Sequence, residues 1–243
     1  MELRKKKALI TGASRGIGKA VAKRLSMQGI EVFVNYVGNE KKALITKEEI
    51  GDLCALARVN LEDENCAESL YEITGDIDIL ILNASIQIRN KWTDISSEEF
   101  SRQINCNLRA PMMLMQKYIP YMTRQGWGRV ITIGSVQEMK PHADMLVYSA
   151  AKAALTSMAR SIALQTAGTG VTVNSVAPGV IYTDRNIDAL ADQTYAETIR
   201  AKIPMGSWGV PEDCCAIIET LCSEGASYIT GQNIFVDGGM SIK

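Results

Sequence analysis

Short apolar runs recur along the chain, and segments with a helical pattern lie between them. Several of these runs are continuous rather than alternating, which is typical of strands that are covered on both faces of a sheet. In the first helical segment, an apolar stripe includes Ile17, Val21 and Leu25, and Gly29 ends it. The pattern predicts strands at 8–10, 32–34, 54–57, 77–82, 130–133, 171–176 and 234–236.

Alternation of strands and helices predicts an α/β fold, a doubly wound seven-stranded parallel sheet with helices on both faces. The chain has no linker-like tract, low-complexity segment or repeat, so we expect a single domain over residues 1–243. The least regular stretch is about 179–210, between the sixth strand and a helix that begins near Pro211. A connection of that length is typical of a binding flap.

Composition supports a large aliphatic core and excludes some function classes. Hydrophobic residues make up 47% of the chain, aromatic residues 6%, and the net charge is -1, which indicates neither a nucleic-acid nor a membrane partner. Six scattered cysteines and a single histidine argue against a Cys/His zinc site, so we predict reduced thiols and no metal. With no signal-peptide core and no run long enough to span a membrane, we expect a cytoplasmic protein.

A glycine-rich loop follows the first predicted strand. It reads TGASRGIG over residues 11–18 and leads into an amphipathic helix. Such a loop turns sharply, lets a pyrophosphate approach the backbone, and offers the helix N-terminus to the phosphate. An ordinary strand-to-helix turn is the alternative. The candidate cofactor-binding residues here are Gly12, Ser14, Arg15, Gly16, Ile17 and Gly18.

The end of the second strand bears on the choice of nucleotide. NAD sites usually carry an acidic residue there, but the expected position is Tyr36, and no carboxylate would repel a 2′-phosphate. Arg15, Lys41 and Lys42 are nearby cations. We therefore expect NADP(H) to be favoured over NAD(H). The alternative is that Arg15 is a solvated charge and that NAD binds through its ribose hydroxyls.

A second motif lies in the segment SVQEMKPHADMLVYSAAK, where Lys152 follows Tyr148 by four residues and Ser135 precedes Tyr148 by thirteen. Together with the glycine loop, this set resembles the short-chain dehydrogenase/reductase family along essentially the whole chain. The similarity is to the compact branch that contains 3-oxoacyl-carrier-protein reductases, glucose dehydrogenases and gluconate 5-dehydrogenases. It implies a Rossmann-type NAD(P)-binding domain and a homotetramer.

The resemblance gives each motif residue a role in transferring a proton to or from a substrate oxygen. A free tyrosine has a pKa of about 10, too high for a base near neutrality, and the Lys152 ammonium on the same helix face favours the phenolate. Lys152 would also hold the nicotinamide ribose, and Tyr148 and Tyr36 would be further cofactor contacts. Ser135 would donate to the substrate oxygen. Asn107 matches an asparagine that holds a water between the lysine and solvent.

Further positions carry over from the family pattern. The implied cofactor contacts are Asn60 and Leu61 at the adenine, Asn83, Ala84 and Ile133 along the dinucleotide, and Pro178, Gly179, Ile181 and Thr183 at the nicotinamide. One departure is clear: the usual Asn-Asn-Ala-Gly is Leu82-Asn83-Ala84-Ser85 here. We expect this change to alter local packing and the pocket rim without abolishing cofactor binding.

The candidate substrate residues are Ser85, Gln87, Gln137 and His142, although a lone loop histidine is also a common surface group. Their polarity favours a sugar or sugar acid as the carbonyl or secondary-alcohol substrate. Three alternatives stay open: a 3-oxoacyl-carrier-protein reductase, a sugar-nucleotide epimerase or dehydratase, and a non-catalytic dinucleotide-binding regulator. The complete tyrosine, lysine, serine and asparagine set argues against the regulator, and the chain length leaves little room for the extra domain of the epimerases.

Overall fold

Parallel strands form the centre of the protein, which the computed structural model describes over residues 5–243. Within that range the strands are β1 (Lys7–Ile10), β2 (Glu31–Tyr36), β3 (Cys54–Arg58), β4 (Ile79–Leu82), β5 (Gly128–Ile133), β6 (Val171–Pro178) and β7 (Asn233–Val236). Their order is β3-β2-β1-β4-β5-β6-β7, with every neighbouring pair parallel. The order reverses between β1 and β4, and a crevice opens at the carboxyl ends of strands at such a point.

Helices cover both faces of the sheet. They are α1 (Gly16–Ser26), α2 (Glu40–Ile50), α3 (Cys66–Thr74), α4 (Ser97–Ile104), α5 (Ala110–Gln125), α6 (Leu146–Thr166), α7 (Ile187–Ala191), α8 (Gln193–Lys202) and α9 (Pro211–Cys222). Helices α1 and α9 pack on one face, and α3, α5 and α6 contribute to the core on the other. Within β1, Leu9 belongs to one core while Ala8 and Ile10 belong to the other. This two-sided burial explains the continuous apolar runs of the sequence.

The predicted strands are confirmed, with shifted ends: β4 begins at Ile79 rather than at residue 77, and β6 continues to Pro178. The expectation of an irregular stretch over residues 179–210, called the flap below, was wrong in part. It contains α7 and α8, whose Leu190 and Ile199 pack with Ile203 in a small core of their own. Two short helices with mostly polar surfaces give too little periodic signal to be recognised in the sequence.

The cysteines belong to the packed interior. All six are free and buried, and burial raises the pKa of the Cys106 and Cys215 thiols to about 11. Each helix in residues 5–243 is too short or too polar to cross a lipid bilayer.

Candidate active site

A cleft of about 1040 Å³ opens at the carboxyl ends of the strands, where the strand order reverses. The structure brings nearly all of the predicted site residues to its wall, because the loops that carry them follow neighbouring strands. The lining includes Gly12, Ser14, Arg15, Gly16, Ile17, Tyr36, Asn60, Leu61, Asn83, Ala84, Ser85, Gln87, Ile133, Ser135, Gln137, His142, Tyr148, Lys152, Pro178, Gly179, Ile181 and Thr183. Gly18 and Asn107 lie behind the wall and do not line the cleft.

The glycine loop is shaped by two positions with left-handed backbone, Gly12 at φ 61° and Gly16 at φ 57°. A Cβ at Gly12 would lie 2.9 Å from the Cα of Ala84, so only glycine permits this close approach of the loop to the end of β4. The N-cap of α1, Arg15, makes no side-chain cap hydrogen bond. The first-turn N–H groups of α1 therefore suit an anion such as a pyrophosphate.

Thr11 and Asn83 hold this loop against β4. The Thr11 hydroxyl accepts hydrogen bonds from the backbone N–H groups of Asn83 at 2.9 Å and Ala84 at 3.0 Å. The Asn83 side-chain amide in turn donates to the carbonyl oxygens of Thr11 and Gly12, at 2.9 and 3.1 Å. Gly18 packs beneath the same amide, where a Cβ would lie 2.6 Å from its nitrogen. The role of Gly18 is thus close packing under the loop.

Asn35, which the sequence analysis missed, fastens the other side of the loop. Its buried amide nitrogen donates to the carbonyls of Ala57 at 3.1 Å and Val59 at 2.9 Å, and its oxygen accepts from the Gly12 N–H at 3.2 Å. One side chain therefore links β1, β2 and β3 at the cleft. A lone amide inside an otherwise apolar strand was the signal that could have identified it.

The rim at the end of β2 is cationic and touches the flap. The Asp184 carboxylate forms ion pairs with Lys42 and, at 3.5 Å, with Arg15. Lys42 and then Arg15 hold the pKa of Asp184 below its ordinary value. Arg15 lines the cleft, whereas Lys42 and the exposed Lys41 do not. Two of the three predicted cations therefore meet at one point of the rim.

Tyr148 and Lys152 lie one turn apart near the start of α6. The helix begins at Leu146, so both residues lie in its first two turns. The buried Lys152 ammonium donates to the Ile133 carbonyl at 2.6 Å and lies 5.7 Å from the centre of the Tyr148 ring. Burial lowers the pKa of Lys152, and interaction with Tyr148 opposes that shift. The lysine side chain is thus buried and held in place beside the phenol.

Ser135 follows β5 and is held by its own backbone turn. Its hydroxyl oxygen accepts from the Gln137 N–H at 3.2 Å, which leaves the O–H to be donated elsewhere. The Glu138 carboxylate accepts from the Ser135 N–H at 3.1 Å and from the Asn233 side chain at 3.2 Å. A Cβ at Gly134 would collide with that carboxylate. Glu138, also missed, was signalled by the Ser-x-x-Glu capping spacing.

Asn107 lies in a π-helical turn, Asn105–Arg109, between α4 and α5. Its fully buried carboxamide accepts from the Ile86 N–H at 2.8 Å and donates to the Ile86 carbonyl at 2.7 Å. The side chain therefore fixes the loop after β4 that carries the candidate substrate residues. Turns of this kind occur frequently at functional sites. The water link from Asn107 to Lys152 stays a prediction.

Ser85, the departure noted in the sequence, connects the loop after β4 with the flap. Arg185 donates to both the carbonyl and the hydroxyl of Ser85, each at 2.9 Å. A glycine at this position would offer only the carbonyl. Gln137 accepts from the Ser149 hydroxyl at 3.0 Å, and half-buried His142 accepts from the Asp144 N–H at 3.1 Å.

Basic groups also line the part of the cleft formed by the loops after β4 and β5, the flap and the last residue of the chain. Those that line it are Arg89, Lys140, His142, Arg185, Lys202 and Lys243. The charges of the arginine and lysine side chains favour an anionic molecule there. In the described residues 5–243, no group of three or more His, Cys, Asp and Glu side chains is placed to hold a metal ion.

Known proteins similar to this chain in sequence and structure are named as reductases and dehydrogenases. A protein-family profile described as Enoyl-(Acyl carrier protein) reductase matches residues 12–241. The chain is 33% identical to 3beta-hydroxysteroid dehydrogenase 1 of Eggerthella lenta, over 99% of this chain and 95% of that protein. Its structure resembles a 3-oxoacyl (acyl-carrier-protein) reductase from Agrobacterium tumefaciens C58 with NADP bound, with a TM-score of 0.91, 32% identity, and coverage of 97% and 94%. A gluconate 5-dehydrogenase from Burkholderia cenocepacia J2315 in complex with NADP and tartrate gives a TM-score of 0.90, 27% identity, and coverage of 99% and 97%.

We expect Lys152→Met to raise the stability of the fold at neutral pH, because it removes a buried charge whose pKa is lowered. In the unfolded wild type, Lys152 has the ordinary lysine pKa of about 10.4. At pH values between the lowered folded-state pKa and this unfolded-state pKa, the unfolded chain binds more protons than the folded one, so wild-type stability rises with pH. The gain from the substitution should therefore shrink between pH 7 and pH 9.5.

Urea denaturation at the two pH values measures this difference. Lys47→Met, which removes an exposed lysine on α2, is the matched control and should show no such pH-dependent gain. A Lys152→Met variant that is less stable than wild type at both pH values would contradict the account.

Proposed function

Since the chain belongs to the short-chain dehydrogenase/reductase family and is thus an oxidoreductase that uses a nicotinamide dinucleotide, we propose that it transfers a hydride between NADP(H) and the carbonyl or secondary alcohol of a sugar acid. The observation that carries the proposal is the cleft itself. It joins a phosphate-binding loop, the pair Tyr148 and Lys152, and a cationic substrate end.

The residues of the cleft suit the dinucleotide. The uncapped start of α1 and the glycines at 12 and 16 would receive the pyrophosphate, with Asn60 and Leu61 at the adenine and Thr183 at the nicotinamide. When bound, the nicotinamide supplies or accepts the hydride. The preference for NADP(H) rests on Arg15 and Lys42 at the rim and on the absence of a carboxylate from the sequence Asn35-Tyr36-Val37.

The chain's own residues manage the proton. In the reducing direction, the Tyr148 hydroxyl donates its proton to the carbonyl oxygen as the carbon is reduced, and the phenolate that remains is stabilised by the Lys152 ammonium. In the oxidising direction, the phenolate accepts the proton of the alcohol. Ser135 donates its O–H to the same substrate oxygen, since its acceptor side is already engaged by Gln137.

The positive charge of the cleft where we place the substrate supports a small acidic molecule as the substrate. Basic side chains line the cleft there, and Arg185 is already positioned beside Ser85 by two hydrogen bonds. A gluconate 5-dehydrogenase of similar structure was solved with the dicarboxylate tartrate. The second candidate is reduction of a 3-oxoacyl group on a carrier protein, which the similarity to such reductases supports.

A substrate panel separates the two candidates. Sugars, sugar acids and 3-oxoacyl thioesters are assayed by absorbance at about 340 nm with NADP(H) and NAD(H), and we expect the highest kcat/KM for a sugar acid with NADP(H), because the acid group meets the basic end of the cleft. Faster turnover of neutral sugars or of the thioesters would contradict the proposed substrate class. Absence of turnover with every substrate would favour the non-catalytic alternative.

Tyr148→Phe should lower kcat by about 10²–10⁴-fold while leaving dinucleotide affinity within twofold, because only the proton donor is removed. Steady-state kinetics and a fluorescence titration with NADPH measure the two effects. Tyr228→Phe removes a hydroxyl from a fully exposed tyrosine and serves as the matched control. If the Tyr148 variant kept more than about a tenth of wild-type kcat, Tyr148 would not be the proton donor.

We also propose that the protein is a homotetramer in the cytoplasm. Along α6, one exposed face carries Leu146, Ala150, Ala153, Ser157 and Leu164, which are small or apolar. Light scattering should give about four times the chain mass of 26.5 kDa; a monomer would contradict the assembly.

The proposal of a cytoplasmic location rests on the cysteines, because free, buried thiols suit a reducing compartment.

A further inference from the structure

The flap brings a carboxylate of its own to the cations at the adenosine end of the cleft. Asp184 forms an ion pair with Lys42, which lies 142 residues away in the chain. It forms a second ion pair, at 3.5 Å, with Arg15, which lies 169 residues away in the chain. These are the two cations to which the proposed function assigns the extra phosphate of NADP(H). The carboxylate and a 2′-phosphate are both anions that present several oxygen acceptors to the same donors.

We propose that Asp184 competes with the 2′-phosphate of NADP(H) for Arg15 and Lys42, and thereby sets how strongly the enzyme discriminates NADP(H) from NAD(H). The inference rests on the proposed function, in which those cations hold that phosphate. Binding of NADP(H) replaces the Asp184 ion pairs with phosphate contacts, whereas NAD(H), which lacks the phosphate, leaves them in place. Asp184 therefore lowers the affinity of one nucleotide and not of the other.

The position of Asp184 is set by the backbone of the flap as well as by the ion pairs. The preceding residue, Thr183, packs on the glycine loop, where a Cβ at Gly16 would lie 3.4 Å from its methyl group. The Thr183 carbonyl accepts from the Asn186 N–H at 2.8 Å, and the Asn186 side chain donates to the Ile181 carbonyl at 2.8 Å. Removing the charge of Asp184 should therefore leave the flap in place.

The size of the expected change in nucleotide affinity follows from how exposed the Asp184 ion pairs are. The side chains of Asp184 and Lys42 are 39% and 40% exposed. Water and salt weaken such pairs, so that exposed ion pairs change a binding or folding equilibrium by about one and a half- to fivefold. Competition of this size changes the preference for NADP(H) over NAD(H) but is too weak to create that preference. It should also weaken as the ionic strength rises.

Asp184→Asn tests the proposal through binding alone, with 2′,5′-ADP and 5′-AMP as probes of the adenosine end. By calorimetric titration, we expect the variant to bind 2′,5′-ADP about two- to fivefold more tightly than wild type, with 5′-AMP affinity unchanged. The gain should decrease at high salt. In the Lys42→Ala background the same substitution should give a smaller gain, because one of the two cations in competition is missing.

Asp188→Asn is the matched control, since it removes the same charge from an exposed position in the flap that does not line the cleft. Equal affinity of the Asp184 variant and wild type for 2′,5′-ADP would overturn the inference. So would weaker binding of both probes, which would mean that Asp184 closes over the nucleotide, or an equal gain for both probes. If wild type bound neither 2′,5′-ADP nor NADP(H), the proposed cofactor would fall as well; in the other cases it would stand.

Discussion

The hydrogen bond from the Lys152 ammonium to the Ile133 carbonyl joins the two elements on which the chemistry depends. Lys152 belongs to α6, which also carries Tyr148, while Ile133 ends β5, two residues before Ser135. A buried charge needs a partner, so this contact persists and fixes the register of helix against strand. The phenol, the ammonium and the serine hydroxyl thus share one rigid frame, to which Glu138 adds a further tie toward β7.

The same contacts explain how burial of the Lys152 ammonium, which is unfavourable for the stability of the fold, can serve proton transfer by Tyr148. An ammonium in the interior lowers the stability of the fold, and its lowered pKa expresses that cost. A charge held away from water acts more strongly on a neighbouring phenol than a solvated one would. The asparagine of the π-helical turn has a comparable positional role, since it holds the Ile86 backbone at the cleft without lining the cleft.

Much of this arrangement could be predicted from the sequence, because it depends on local patterns. Strands buried on both faces give continuous apolar runs, the glycine loop follows β1 directly, and Tyr148 and Lys152 are one helical turn apart. The family resemblance brought distant motif residues to one cleft, but individual contacts between the side chains of distant segments could not be predicted. Nothing near Ser85 or Lys42 in the sequence indicates that Arg185 and Asp184, at least 100 residues away, would reach them. The flap helices were missed for a related reason, since few apolar residues such as Leu190 and Ile199 hold them in place.

Adjacent residues of opposite charge in the flap engage opposite walls of the cleft. Asp184 contacts the cations near the end of β2, and Arg185 contacts Ser85 after β4. Two neighbouring side chains therefore anchor the same point of the flap to both walls. Because separate side chains make the two contacts, either residue can be replaced while the other still anchors the segment, so positions 184 and 185 are free to diverge independently.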